Sequence, residues 1–469
     1  MSSCQSKNGD AIQKAPGMDL EKTPSLAASA LKEGETKILG DEAVHEFYAG
    51  AVSDTYRLKS ELVARHIAEL GMGKFQCMLF VVSGFGWLVD NFWSQGITAI
   101  RPAVANEFTD ISYLSFSSVA YYVGLILGAS FWGTSADLIG RKPAFNATLF
   151  IGGIFGRYLM ITLGGIALAF GLIRVFCFKI PESPAYLLSK GRDADAVEAV
   201  NYICRYNGRP ETLTLEMLQY IDQQQQVGHL AVQPAENINA PAATIAERSP
   251  RLMSYIEILR ESFRDYNTNS YRKLFAGRKM AQHSSVTFLI WLTVGIAYPL
   301  YFAFITSYLE TKSSYSATSS SNYTYMVYCI VSVVGVLGPI AAGFAVETRF
   351  GRRWMMAASA ILTGVFLFAY TTVETGAADI GFQCATAILG NFEYAIMYAF
   401  TPESFPGPVR GTGTGMASTL LRIGGLVASL ISTYGGYTTV PIYASAGLWI
   451  VVGIFCLALP YETRGHASI

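Results

Sequence analysis

Long runs without a single charge alternate with short polar loops along most of the chain. Residues 111–136 contain no Asp, Glu, Lys or Arg, and neither do 280–309, 313–346, 354–373 and 423–461. A helix needs about 20 mostly apolar residues to cross the hydrocarbon core of a bilayer. Each run is long enough, and the last suffices for two spans broken at Tyr434-Gly435-Gly436-Tyr437. Three further runs carry one or two ionisable residues: 75–100 holds Asp90, 378–400 holds Asp379 and Glu393, and 411–433 holds Arg422. Soluble core helices are also poor in charge, but not eight times over at this length and spacing. The pattern predicts an all-α polytopic membrane protein.

The polar stretches divide the chain. Residues 1–53 read as a disordered tail, and 54–70 as an amphipathic surface helix with Leu58, Leu62, Val63, Ile67 and Leu70 on one face. The plan is a tail at 1–74, a first bundle at 75–178, a polar loop at 179–282, a six-helix bundle at 283–461 and a short tail at 462–469. The second bundle is predicted at 283–309, 323–346, 354–373, 378–401, 411–434 and 440–460. Within the loop, 193–206 and 252–266 have helical periodicity. Basic residues in short loops mark the cytoplasmic side. Arg141, Lys142, Arg349, Arg352, Arg353, Arg410 and Arg464 fall on one side, against Lys312 on the other. Both termini are therefore expected inside.

Composition narrows the function. Charged residues make up 14% of the chain, against about 25% in soluble domains. Thirty-four Lys+Arg balance 34 Asp+Glu, which gives no bulk electrostatic case for nucleic-acid binding. The seven Cys form no CxxC and no Cys/His cluster, so neither a metal nor another cofactor is indicated. No nucleophile–base pair supports an enzyme.

Two loops repeat one another. Gly133-Thr-Ser-Ala-Asp137-Leu-Ile-Gly140-Arg141-Lys142 follows the second span, and Gly343-Phe-Ala-Val-Glu347-Thr-Arg-Phe-Gly351-Arg352-Arg353 follows the second span of the later bundle. Repeated halves around a long central loop are a transporter pattern. The first loop resembles the signature loop of the major facilitator superfamily. Pro181-Glu182-Ser183-Pro184, Pro402-Glu403-Ser404 with Arg410-Gly411, and Glu462-Thr463-Arg464-Gly465 resemble its sugar-porter-like branch. Gly84-Phe-Gly-Trp87-Leu-Val-Asp90-Asn91 looks most like its synaptic-vesicle-glycoprotein-like (SVOP-like) members.

The resemblance implies a twelve-helix fold and secondary active transport of a small organic solute, a sugar or an organic ion, by alternating access with proton coupling. The setting implied is the lipid bilayer of the plasma membrane or of an endomembrane vesicle. The seventh span lacks the paired glutamines of sugar porters, which counts against a hexose. A conformational gate is implied at Gly133, Asp137, Gly140, Arg141, Lys142, Glu347, Gly351, Arg352, Arg353, Glu403 and Arg410, with Asp137 capping the start of the eleventh span at 411–415.

Asp90 and Glu393 are the proton-coupling candidates. A carboxylate inside a span costs about 2.5–3.5 kcal/mol on insertion scales and points to function by default; simple hydration near the mouth is the alternative for Asp90. Glu393 and Arg422 either face a central cavity or pair with one another. Gln95, Trp291, Tyr298, Asn391, Tyr394 and Arg422 are the candidate cavity lining, with Tyr398 beside them, although aromatic residues in spans also serve packing.

The first bundle is short. Arg353 to Pro460 spans 107 positions, whereas the corresponding Lys142 to Pro181 spans 39, a shortfall of 68. Residues 145–156 resemble a third span and 158–178 a sixth. The fourth and fifth are expected to be missing, with a join near Gly156-Arg157, leaving nine or ten membrane helices. A non-transporting receptor, or an inactive splice or gene-model variant, stays open as the alternative function.

Overall fold

A computed structural model describes residues 52–84, 112–140, 180–232, 269–311, 321–346, 350–373, 376–434 and 440–462, with Ala144, Ala147, Leu172 and Thr348 besides. Among these the regular structure is helical, without strands. The order is α1 Asp54–Leu70, α2 Lys74–Gly84, α3 Ser112–Ile139, α4 Pro184–Ser189, α5 Asp193–Tyr206, α6 Leu215–Val232, α7 Asn269–Leu274, α8 Arg278–Thr311, α9 Ser321–Gly335, α10 Leu337–Ala345, α11 Gly351–Tyr370, α12 Gly376–Ser404, α13 Arg410–Tyr434 and α14 Val440–Leu457. Among the described residues, five helices, α3, α8, α11, α13 and α14, are long and apolar enough to cross a membrane. The helices of the second bundle begin and end within about five residues of the predicted bounds. The proposed first, third and sixth spans lie largely or wholly outside the described residues, as does the helix expected at 252–266.

The predicted single span over 323–346 is instead two pieces, α9 and α10, interrupted at Val336. The cause is local. Pro339 has no N–H to give the carbonyl four residues back, and that carbonyl belongs to Gly335. Asn391 of α12 supplies the missing donor, its Nδ2 reaching Gly335 O at 3.2 Å.

Helices α8, α11, α12 and α14 pack with α13 and α9–α10 into the second bundle, whose core holds Trp291, Tyr370, Phe400 and Trp449. In lipid, association relies on close packing of small residues. Gly424 of α13 accordingly lies against the Leu292 carbonyl of α8. From the first half, α3 runs along α13. Ser130 Oγ meets Thr419 Oγ1 at 3.1 Å, and a Cβ on Gly133 would stand 2.5 Å from Gly415 Cα. As the numbers climb along α3 they fall along α13, so the helices are antiparallel.

The polar loop folds as well. Helices α4, α5 and α6 bury Leu187, Leu188, Val200, Ile203, Leu218 and Ile221. Helix α1 lies on them, but not by the face the apolar periodicity selects. It buries Tyr56, Lys59, Ser60, Val63 and Leu70, while Leu58, Leu62 and Ile67 are only half-buried. Polar anchors turn the helix: Lys59 Nζ pairs with Asp193 and, at 2.8 Å, with Asp222.

Candidate functional site

The contact of α3 with α13 carries the first candidate site. Asp137 stands four residues beyond Gly133, on the same face of α3. Gly133 and Gly415 bring the two backbones together there, and Asp137 reaches the first turn of α13. Its Oδ1 accepts from Gly411 N at 2.9 Å; its Oδ2 accepts from Thr412 N at 2.5 Å and Thr412 Oγ1 at 2.8 Å. The first N–H groups of a helix have no partner inside it, and a carboxylate there also gains from the helix dipole. The expected cap is formed. A tyrosine lies nearby on α4: burial, with Glu182 next, pushes the Tyr186 phenol up to about 12, so it stays protonated at neutral pH.

The matching loop of the second half is built on the same backbone. Gly140 and Gly351 stand at equivalent places in the repeat, and both take positive φ, 99° and 73°. Such angles favour glycine. Beyond Gly351, the N–H groups of Arg352 and Arg353 donate to Glu462 at 3.1 and 3.0 Å. Arg352 pairs with Glu403 at the end of α12. Arg353 Nη1 donates to Leu459 O at 2.7 Å, and Arg410 Nε to Phe405 O at 3.1 Å. Arg141, Lys142 and Glu347 lie outside the described residues.

The candidates inside the spans separate into two groups. Glu393 is fully buried and held by Ser359 Oγ of α11 at 2.5 Å and Cys456 Sγ of α14 at 3.9 Å. Arg422 bonds Ser418, one turn back in its own helix. The two therefore do not form the pair the sequence allowed. Glu393 points into the second bundle, since its partners sit on α11 and α14. Trp291 is also fully buried, its Nε1 donating to Thr401 Oγ1 at 2.9 Å; it is core rather than open lining. Asn391 turns to the α9–α10 break. Asp90 and Gln95 lie outside the described residues.

Of the remaining candidates, Tyr298 and Tyr394 are in contact with each other. Tyr298 and Tyr394 meet edge to face at 5.2 Å, and Tyr394 stacks on Tyr398 at 6.1 Å. Sequence reasoning missed Tyr122 of α3, whose ring lies on Gly425 of α13 within electrostatic reach of Arg422 and Tyr394. An aromatic residue in an apolar span carries no signal of its own. It also missed Ser359 and Cys456, whose role depends on three helices converging, and Tyr56, whose hydroxyl lies against Gly407 just before α13 and donates to Ala185 O at 3.3 Å.

No family model matches the chain. Curated relatives do align with nearly all of it. The major facilitator-type transporter hxnZ of Emericella nidulans is 45% identical over 531 residues, covering 93% of this chain and 92% of that protein. MFS siderochrome iron transporter 1 of Ceriporiopsis subvermispora is 32% identical over 544 residues, with 96% of this chain and 100% of its own covered. The niacin transporter NiaP of Acinetobacter baylyi is 24% identical over 446 residues, 80% of this chain and 90% of its own. The first two alignments are longer than the chain's 469 residues. Each of those relatives thus carries residues for which this chain has no counterpart.

Proposed function

The chain belongs to the major facilitator superfamily, and from that premise we propose that it carries a small organic solute across a membrane by alternating access, coupled to protons. The Asp137 cap carries the reading. It ties the first half to the second at one end of the α3–α13 contact, where a rocking carrier must alternately close and part. That end bears the basic loops, so the closed side is the cytoplasmic one. An organic ion is the cargo class, and the niacin and siderochrome named for two relatives support it over a hexose. Asp90 is the proton carrier in this reading. Glu393 is not, because its carboxyl is enclosed by α11 and α14 rather than turned toward the opposite half.

A second reading concerns this form of the protein. The relatives' surplus residues and the shortfall of 68 positions between the repeated motifs favour a chain that lacks the fourth and fifth spans, and with them part of the pathway wall. One experiment weighs both. The 469-residue chain and a chain with the missing stretch restored from genomic sequence are reconstituted in proteoliposomes. Solute uptake is then followed under an imposed pH gradient. Uptake by both supports a working carrier as written. Uptake by the longer chain alone supports the shortened variant, and uptake by neither overturns the transport reading.

A further inference from the structure

Helix α8 leaves one stripe exposed, Arg278, Gln282, Ser285 and Leu289, at steps of three or four residues. Its other faces pack inward: Trp291 bonds Thr401 of α12, and Gly295 lies on the Leu421 carbonyl of α13. Helix α14 leaves Val451 and Ile454 exposed, with Ala458 just past its end. The two helices run antiparallel, since Gln282 Nε2 donates to Ala458 O at 3.3 Å and Ser445 Oγ to Ala297 O at 2.7 Å. The Gln282 bond joins one stripe to the other, so both border the same shallow groove. Leu289 and Val451 each lie seven residues from that bond and are therefore level. Leu289 is 44% exposed and Ile454 56%. Apolar side chains exposed along a span meet acyl chains.

The polar end of the groove opens on cations. Helix α7 and the turn into α8 bear Arg272, Lys273, Arg278 and Lys279, all exposed, and no Asp or Glu occurs from 266 to 309. The turn is anchored. Gly277 takes φ 79°, Leu274 is fully buried, and the Leu274 carbonyl accepts from Ser284 Oγ at 2.6 Å. Phe275 stands exposed among these cations, its ring edge-on to Phe288. The carboxylate beyond α14, Glu462, is engaged by the Arg352 and Arg353 N–H groups.

We propose that the α8–α14 groove holds an anionic phospholipid, its headgroup on Arg272, Lys273 and Arg278 and an acyl chain along Leu289, Val451 and Ile454. A guanidinium fork matches phosphate oxygens, and basic residues at the end of a span attract anionic headgroups. The cations alone would suit any soluble anion, and the apolar stripe alone any lipid tail. Set end to end on a fixed turn, they suit a charged lipid. The occupant would brace α8 against α14, whatever solute the protein carries, so this inference stands apart from the transport reading.

Photolabelling tests the site. The purified full chain in phosphatidylcholine nanodiscs receives a trace of phosphatidylserine carrying a diazirine in one acyl chain, or phosphatidylcholine with the same chain. Labelled positions are mapped by mass spectrometry. The serine lipid should mark Leu289, Val451 or Ile454 at least about tenfold more than the choline lipid, because several charges near the surface each add attraction. R278Q should cut that preference about fivefold, the worth of one such charge, and R272Q/K273Q/R278Q should bring it down to the choline level. These side chains are exposed, so both variants should melt as wild type does in phosphatidylcholine. If the triple variant does not fold, R278Q and the contrast of the two lipids on the wild-type chain decide. Equal labelling by both lipids, labelling confined to other faces, or undiminished preference in the folded charge variants would each overturn the proposal. Loss of the label to an equal concentration of soluble glycerophosphoserine would overturn it too, by showing an anion site that needs no tail.

Discussion

Glu393 shows how far a single residue can be judged from sequence. A carboxylate in an apolar run announces itself, but its partners do not, because Ser359 and Cys456 reach it from two other helices. The Ser359 hydroxyl stands 2.5 Å from Glu393 Oε2 and 3.0 Å from the Met356 carbonyl. It has one proton for two acceptors. A proton on the Glu393 carboxyl supplies the second hydrogen bond, and an uncharged clamp then joins α11, α12 and α14. Glutamine keeps a donor and an acceptor at the same place. E393Q is therefore expected to fold and melt close to wild type, whereas E393A should lose about 1–3 kcal/mol, the penalty of stranded buried polar groups. Melting curves of the detergent-purified variants check this, and equal losses for both would remove the clamp. Asn391 teaches the same lesson: the break it repairs follows from Pro339, visible in the chain, while its meeting with Gly335 is not.

At the level of elements, the second bundle was legible because lipid-spanning helices must be long and apolar, and charge marks their ends. Helix α1 was legible as a helix but not in its orientation. Apolar periodicity ranks Leu58 and Leu62 above Lys59, yet Lys59 is 7% exposed. Two carboxylates from α5 and α6 decide the matter. Burial disfavours the Lys59 charge, but its hydrogen bonds to Asp193 and Asp222 prevail and raise its pKa above the ordinary lysine value. A raised folded value means that this contribution is complete below the unfolded lysine pKa of about 10.4 and is lost only as pH climbs through the folded one. The docking of α1 should accordingly be indifferent to pH from 6 to 9. K59M should release it, with amide exchange over 54–70 faster by about tenfold or more, on a loss of about 1.5–3 kcal/mol for charged hydrogen bonds. Unchanged protection would mean that Tyr56 and Val63 hold the helix without the ion pair.

For the molecule as a whole, the shortened form proposed above makes α9–α10 the counterpart of α3 and leaves α13 without its own, the fifth span of the first half. The α3–α13 contact thus has a twin, in which that fifth span would lie on α9–α10. The surface where it would pack is a stripe at helical spacing, Met326, Ile330, Val333, Leu337, Ile340 and Phe344, with Val333 71% and Phe344 80% exposed. The shortfall itself was readable from motif spacing; the bare stripe needed coordinates. Under the alternating-access reading proposed above, with the basic loops cytoplasmic, the Asp137 cap has a further consequence for kinetics. Its three hydrogen bonds form only while the cytoplasmic ends of α3 and α13 are together, so they set how long the carrier dwells there. Losing about 2 kcal/mol through D137N multiplies the open population about thirtyfold relative to the closed one. Spin labels on the two helix ends should report the longer distance becoming dominant. A dwell that short on the closed side also changes what the carrier accomplishes: cargo would shuttle back and forth across an open inner mouth before the empty protein could reset, and a device for accumulation would run as a device for exchange.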